Sequence, residues 1–492
     1  MTAALLFLLF LIPLLTAALC APASPARVRE TVHLLGSLAT AACALLIVSQ
    51  VVMHGPQTAA GNFFYVDSLS AALLLIVMLV SVTAALHSIG YVRGDVAHGE
   101  LTERRVGGYY AWFHLFVAAM YFVLVVNNLG IVWVAIEATT LTSAFLVALY
   151  RKAEALEAAW KYLILCSVGI AFALLGLIIL YAAAESFYGA GNNRLDFTFL
   201  AHTTHGLPGH LLLLAFVLTL AGYGAKVGLA PLHFWLPDAH SQAPAPISGM
   251  LSGALLNTAL YGILRLVIIV QHSGATPLVS ELCLTFGLLS VLVAFPFLLL
   301  QQDVKRMLAY SSVEQMGIVL FAVGIGGEAG YLAAILQMFN HAMTKSTLFF
   351  SAGNLTQQYR TKNMSRIRGA LRASPFSGVV FLLATLALVG APPFSLFSSE
   401  FALSAAGFDN GHAIVTGALV LLLAALFGVM IFQMGRMLFG VPPRADVTRA
   451  SPWMTWPLLV PVTFALVFGV FIPHAFQALF HHAALVLAGR LP

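Results

Sequence analysis

The sequence predicts an all-α polytopic membrane protein of about fourteen transmembrane helices, with two inverted five-helix repeats and broken helices 7 and 12. Three observations carry this. The 492 residues are 61% hydrophobic and only 8% charged, where a soluble domain carries about 25% charge. The apolar residues gather into runs close to the ~20 residues that cross a bilayer core. The basic residues alternate between the loops that join those runs.

The first run, 2–20, has no basic stretch before it and reads as a first transmembrane helix rather than a cleaved signal. The next is 32–54, behind Arg27 and Arg29. Run 65–92 closes at Arg93, 109–126 opens after Arg104 and Arg105, and 128–150 closes at Arg151 and Lys152. Run 158–184 follows. Run 209–237 is too long for one straight helix and contains Pro231, which removes a backbone donor. Runs 243–270, 276–301 and 304–325 come next, the last opened by Lys305 and Arg306. Run 329–358 ends before a basic loop from Arg360 to Arg372. Run 374–407 is again overlong and holds Pro392 and Pro393. Runs 411–436 and 453–485 flank Arg436, Arg444 and Arg449. Alternate loops thus hold 17 of the 23 Lys and Arg residues, and the other side only Arg194, Arg265 and Arg490. The positive-inside rule then puts both termini outside.

The repeat is short but consistent. Lys161, Ser167 and Gly169 read Lys-x5-Ser-x-Gly, as do Lys345, Ser351 and Gly353, five runs later. Five is odd, so the two copies run oppositely through the membrane. The broken runs are also five apart, and Glu137 and Glu314 sit in the fifth and tenth. The predicted division is 1–108 for helices 1–3, 109–270 for the first repeat, 271–440 for the second, and 441–492 for helix 14.

Composition also excludes classes. Cys20, Cys43, Cys166 and Cys283 are scattered, whereas iron–sulfur and zinc sites need clustered ligands. No Gly-rich phosphate loop or dinucleotide fingerprint is present. The chain is expected to carry no cofactor or metal of its own, so any redox centre belongs to a partner. The net charge of +5 is no nucleic-acid signal, because the basic residues lie between hydrophobic runs.

Charges inside the runs are the candidate site. A lysine at mid-membrane costs roughly 3 kcal/mol on insertion scales, and Lys226 lies beside the Pro231 break. Freed carbonyls there are tolerated only against protein or a wet cavity, so a broken helix next to a charge suggests a transport site. Glu137 lies well inside the fifth run. Burial raises a carboxyl's pKa and lowers a lysine's, and pairing opposes both shifts. A Glu137–Lys226 pair of variable separation would therefore switch the lysine between holding and releasing a proton. His341 and Lys345, four apart, share a helix face. Glu400 follows the second break and suits an exit carboxylate, and Glu314 is a further buried acid. Lys161 lies near the basic end of its helix, where snorkelling and relay both remain open. His233, Asp238 and His240 make a poor zinc set; they fit a proton entrance or a stabilised break better. His87 and His114 read as core residues.

Two long segments resemble a known family. Ala225-Lys-Val-Gly-Leu-Ala-Pro-Leu-His-Phe-Trp-Leu-Pro-Asp-Ala-His-Ser-Gln-Ala-Pro and Asp303-Val-Lys-Arg-Met-Leu-Ala-Tyr-Ser-Ser-Val-Glu-Gln-Met-Gly resemble the signatures of proton-conducting antiporter-like subunits. These occur in complex I (chains L, M and N), Mrp-type antiporters and group 4 hydrogenases. Trp133-Val-Ala-Ile-Glu-Ala-Thr-Thr and the length are most similar to the hydrogenase-4 component F group. The resemblance implies a proton relay through Glu137, Lys226, Lys345 with His341, and Glu400. One departure stands out: Asn257 occupies a position where M-type chains carry lysine, leaving water or His240 to bridge the two half-channels. It further implies a proton-translocating subunit in a bacterial or archaeal inner membrane, bound to membrane and peripheral partners that hold any iron–sulfur or nickel–iron centres. A cation/proton antiporter subunit and a coupling subunit for inorganic-carbon uptake are the alternatives.

Overall fold

The computed structural model describes residues 2–22, 24–203, 206–271, 273, 275–442 and 450–490. Arg444 and Arg449 of the charge tally lie outside them. The described chain is helical apart from one hairpin, β1 (Gln57–Ala59) paired antiparallel with β2 (Phe64–Val66). Before it stand α1 (Thr2–Cys20) and α2 (Ala26–His54). After it come α3 (Ser68–Ala97), α4 (Glu103–Val125), α5 (Leu129–Val147), α6 (Ala153–Tyr188) and the short α7 (Phe197–Thr203). The seventh run splits into α8 (Gly209–Val227) and α9 (Trp235–Gln242). Then follow α10 (Ala245–Val270), α11 (Thr276–Leu300), α12 (Val304–Ile325) and α13 (Gly327–Tyr359). The twelfth run splits into α14 (Pro375–Leu388) and α15 (Ser395–Asp409). The last helices are α16 (Ala413–Leu438), α17 (Pro452–Val470) and α18 (His474–Leu487).

Each of the fourteen apolar runs coincides with helix. Among the described residues, twelve helices are long and apolar enough to cross a membrane. The two runs outside that set are informative. The twelfth is broken, and the eleventh, α13, is an interior helix studded with buried polar groups, including Gln337, Asn340, His341, Thr344 and Lys345. Run 453–485 differs from expectation: it ends a helix at Val470 and restarts at His474 after Pro473, which cannot continue the hydrogen-bonded ladder. Run 243–270 is also irregular, with a π-helical turn at Leu251–Leu255.

Local chemistry sets the starts. Asp67 caps α3 by accepting from Ser70 N, Asn128 caps α5, and Asp303 caps α12 through the amides of Lys305 and Arg306. Packing inside the bilayer gains little from hydrophobicity, so close backbone approach must replace it. At the α11–α12 seam a Cβ on Gly287 would lie 2.7 Å from the Gly317 carbonyl, and one on Gly317 the same distance from the Gly287 carbonyl. α3, α8 and α13 pack against α10, which is wholly buried, and the polar groups described next lie along this interior.

Candidate functional site

Lys226 is carried on the last turn of α8 and is fully buried. Gly228, at φ +81°, ends that helix in a left-handed cap. Trp235 of α9 then donates Nε1–H to the Ala225 carbonyl (2.7 Å), satisfying one acceptor the break releases. Its ring stacks on Tyr162 of α6 at 4.4 Å. Lys226 Nζ donates to Tyr162 Oη (2.5 Å) and Thr140 Oγ1 (2.8 Å), and lies 4.6 Å from the Tyr162 ring centroid.

Glu137 does not touch Lys226. Thr140, one turn along α5, donates to Glu137 Oε2 (3.3 Å) and accepts from Lys226, so a hydroxyl stands between carboxylate and ammonium. The other carboxylate oxygen accepts from Ser167 Oγ of α6 (2.7 Å). The Glu137–Lys226 pair of variable separation expected from sequence is in this structure a bridged pair. Thr140, one turn beyond Glu137 on the same face, reaches Lys226 of α8, while the Glu137 carboxylate is held by Ser167 of α6 and is partly exposed.

The second cluster lies among α10, α12 and α13. Lys345 is fully buried and donates to the Leu308 carbonyl (2.9 Å) and to Ser311 Oγ. His341 Nε2 contacts the Ser252 carbonyl (3.3 Å) in the π-helical turn, and Ser252 Oγ bonds Ser312 Oγ (2.8 Å). Such turns loosen the i→i−4 ladder and leave carbonyls available. Asn257 takes another of them, donating to Gly253 O (2.8 Å). His240 stacks on Phe349, one turn beyond Lys345, at 4.9 Å.

The third cluster is at the α14–α15 break. Glu400 accepts from Gln337 Nε2 at 3.5 Å, and the same group donates to Gln315 Oε1 (2.8 Å). Ser399 Oγ donates to Gln337 Oε1 (2.5 Å). Glu314 and Glu400 line one cavity of about 10 Å³, roughly the room one water needs. Gly390, at φ +66°, makes the turn, and a side chain there would collide with the Glu400 carboxylate.

Other candidates go elsewhere. Lys161 is 47% exposed and pairs with Glu157 (2.6 Å) and Asp238 (3.3 Å). It sits at the protein surface, apart from the buried clusters. Asp238 also pairs with Arg306 (2.7 Å), while His233 stacks on Phe234, so His233, Asp238 and His240 turn to three different neighbours. His87 bonds Asn354 (2.8 Å) and His114 bonds His33 (2.9 Å), both buried. Three residues counted as loop charges are buried instead, among them Arg29, whose guanidinium pairs with Glu103. Arg265 pairs with Asp67. Lys305 donates to the Ser241 and Ala243 carbonyls at the end of α9, where Lys362 also reaches Ser241 O (2.6 Å). Burial lowers the Lys362 ammonium below the usual lysine range.

With this geometry in place, the comparisons are decisive. The family described as NADH:quinone oxidoreductase/Mrp antiporter, TM, matches residues 126–428. The chain belongs to this family. Hydrogenase-4 component F homolog of Methylacidiphilum infernorum is 38% identical over 87% of this chain and 89% of that protein. A chain of the Mrp complex from Dietzia sp. superposes with TM-score 0.86 at 20% identity, covering 100% of this chain and 97% of that one. A chain of respiratory complex I from Thermus thermophilus does so at 0.76 and 24% identity, covering 96% and 97%. The matched segment contains all three clusters of this antiporter-family chain.

Sequence reading missed Thr140, Tyr162, Ser252, Gln315 and Gln337. Thr140 had a signal, since it lies three residues after Glu137 on one helix face. Tyr162 was hidden beside its charged neighbour Lys161: the lysine points out and the tyrosine in. No sequence pattern announces the π-helical turn.

Proposed function

We propose that this chain is a proton-translocating membrane subunit of a redox-driven complex, akin to group 4 hydrogenase and NADH–quinone oxidoreductase. The observation that carries the reading is the buried series of titratable side chains, Lys226, His240, His341, Lys345, Glu314 and Glu400, spread across one interior. Such groups are costly within a membrane and are retained for charge movement. Several polar atoms along the series have no protein partner among the described residues: both His240 ring nitrogens, His341 Nδ1, Thr344 Oγ1, Asn257 Oδ1 and Gln315 Nε2. Buried atoms of this kind are ordinarily satisfied by ordered water. Water-bridged steps would let Asn257, which cannot hold a proton, line the path without interrupting it.

In this scheme Glu137 and Lys226 exchange influence through Thr140. Lys226 passes its proton toward Lys345 and His341, and Glu400 with Glu314 delivers it at the second break. Glu137 lies beside the exposed apolar residues Val134 and Leu141. A neighbouring subunit seated there would cover the carboxylate and alter its hold on Lys226. The scheme fits two inverted five-helix units, 109–270 and 271–440, between helices 1–3 and helix 14, in a bacterial or archaeal inner membrane with both termini outside. Lys161 has no place in the buried path and is better read as an ion-paired surface residue.

Thr140→Val keeps the shape and removes the bridging hydroxyl. Proton translocation in reconstituted vesicles is expected to slow about tenfold, as loss of a ~1.5 kcal/mol hydrogen bond to a charged group implies. An unaltered rate would remove Thr140 from the scheme. The function itself is tested by purifying the tagged chain in mild detergent and identifying its companions by mass spectrometry. Nickel–iron or iron–sulfur subunits are expected. A set of small hydrophobic antiporter subunits, or one soluble zinc enzyme, would move the function to cation exchange or inorganic-carbon uptake.

A further inference from the structure

A groove of about 740 Å³ opens where the start of α4, the end of α5 and the start of α6 meet. Its floor is apolar. Trp112 stacks on Phe145 (centroids 4.2 Å, 13° between planes), and Leu149 and Leu156 complete the wall. Its rim carries Arg104, Arg105 and Arg151. Among the described residues, none of these three guanidinium groups makes a hydrogen bond or an ion pair with the protein. Their neighbours do: Arg29 pairs with Glu103 (2.8 Å), Arg93 with Glu30 (2.5 Å) and Lys152 with Glu100 (2.5 Å). Glu103, next to Arg104 on α4, is therefore already engaged. Arg151 also holds φ +53°, a left-handed conformation uncommon for residues other than glycine.

Three uncompensated guanidinium groups above an aromatic floor require a ligand that is anionic at one end and apolar at the other. We propose that this groove seats an anionic phospholipid, with its phosphate on Arg104, Arg105 and Arg151 and an acyl chain along Trp112 and Phe145. Basic pockets between membrane helices recognise lipid headgroups in this way, and guanidinium matches phosphate oxygens in a bidentate fork. A free phosphate would leave the aromatic floor unused, which is why the geometry favours a lipid.

The test is a titration of the purified chain, with its companion subunits, in phosphatidylglycerol, read by native mass spectrometry. Binding is expected to weaken on the order of 100-fold in Arg104→Gln/Arg105→Gln/Arg151→Gln, as removal of three interfacial charges implies. A Cβ on Gly108 meets open space, so Gly108→Leu is expected to fold normally, fill the groove and displace the lipid with every arginine in place. Arg366→Gln/Arg368→Gln/Arg372→Gln, an equal charge loss elsewhere, is expected to bind as before. Wild-type affinity in Gly108→Leu or in the groove triple variant would overturn the proposal. So would equal binding of phosphatidylcholine, displacement of the lipid by equimolar inorganic phosphate, or a photo-crosslink from position 108 to a protein rather than to lipid.

Discussion

Lys226→Arg is expected to stop proton translocation as completely as Lys226→Ala. The two substitutions separate charge from proton exchange. Arginine keeps the positive charge and can still donate to Thr140 and Tyr162, but it stays protonated throughout the accessible pH range. If Lys226 served only as an electrostatic anchor for the broken helix, arginine would support much of the activity. If it must release and recover a proton in each cycle, arginine fails as alanine does. The proposed relay requires the second role. The ammonium is fully buried, two neutral hydroxyls hold it, and its carboxylate counter-charge stands one hydroxyl away rather than in contact. A lysine so placed has lost water without gaining a direct ion pair.

The expected loss is about 10²–10⁴-fold in vesicle proton uptake, the span for removing a positioned acid–base group. Assembly is expected to survive. Trp235 and Gly228 hold the break through Ala225 O and the helix cap without using the lysine, and alanine deletes a buried charge rather than adding one. Blue-native electrophoresis checks assembly, and a pH-sensitive dye reports uptake. A Lys226→Arg complex that pumps at the wild-type rate would sink the proton-exchange role.

How much of this was legible beforehand varies by residue. The class, the fourteen apolar runs and the breaks at Pro231 and Pro392–Pro393 follow from hydropathy and from proline chemistry, both one-dimensional signals. Lys226, Lys345, His341, Glu314 and Glu400 were found because charge within an apolar run is conspicuous. The failures share a cause, since each needed a neighbour distant in sequence. Thr140 bridges Glu137 to a lysine 86 residues away. Gln337 joins Glu400 to Gln315 through neutral groups that no charge count reveals. Arg265 looked like a loop residue because it lies near the end of its run. Its partner, Asp67, is 198 positions earlier.

That pair carries the largest expected effect on stability. Asp67→Asn is expected to destabilise the fold by roughly 3–5 kcal/mol, the cost of leaving one member of a buried ion pair without its partner. The two side chains are 0% and 2% exposed, and the contact is bidentate, at 2.6 and 2.9 Å. Arg265 donates further to Ser70 Oγ and Tyr261 Oη, and its guanidinium lies 4.1 Å from the Phe197 ring centroid. Asp67 also caps α3, so one carboxylate joins the first helices to α10 and α7. Asparagine preserves the cap, because its carbonyl oxygen still accepts from Ser70 N, and thereby isolates the effect of charge. The double variant Asp67→Asn/Arg265→Met removes both charges and is expected to recover most of the loss, since a buried pair replaced by apolar volume is often neutral. Thermal aggregation in detergent orders the three proteins. The expected order is wild type and double variant close together, with Asp67→Asn well below. A double variant as unstable as the single one would mean that the ion pair contributes through hydrogen-bond geometry rather than through charge balance.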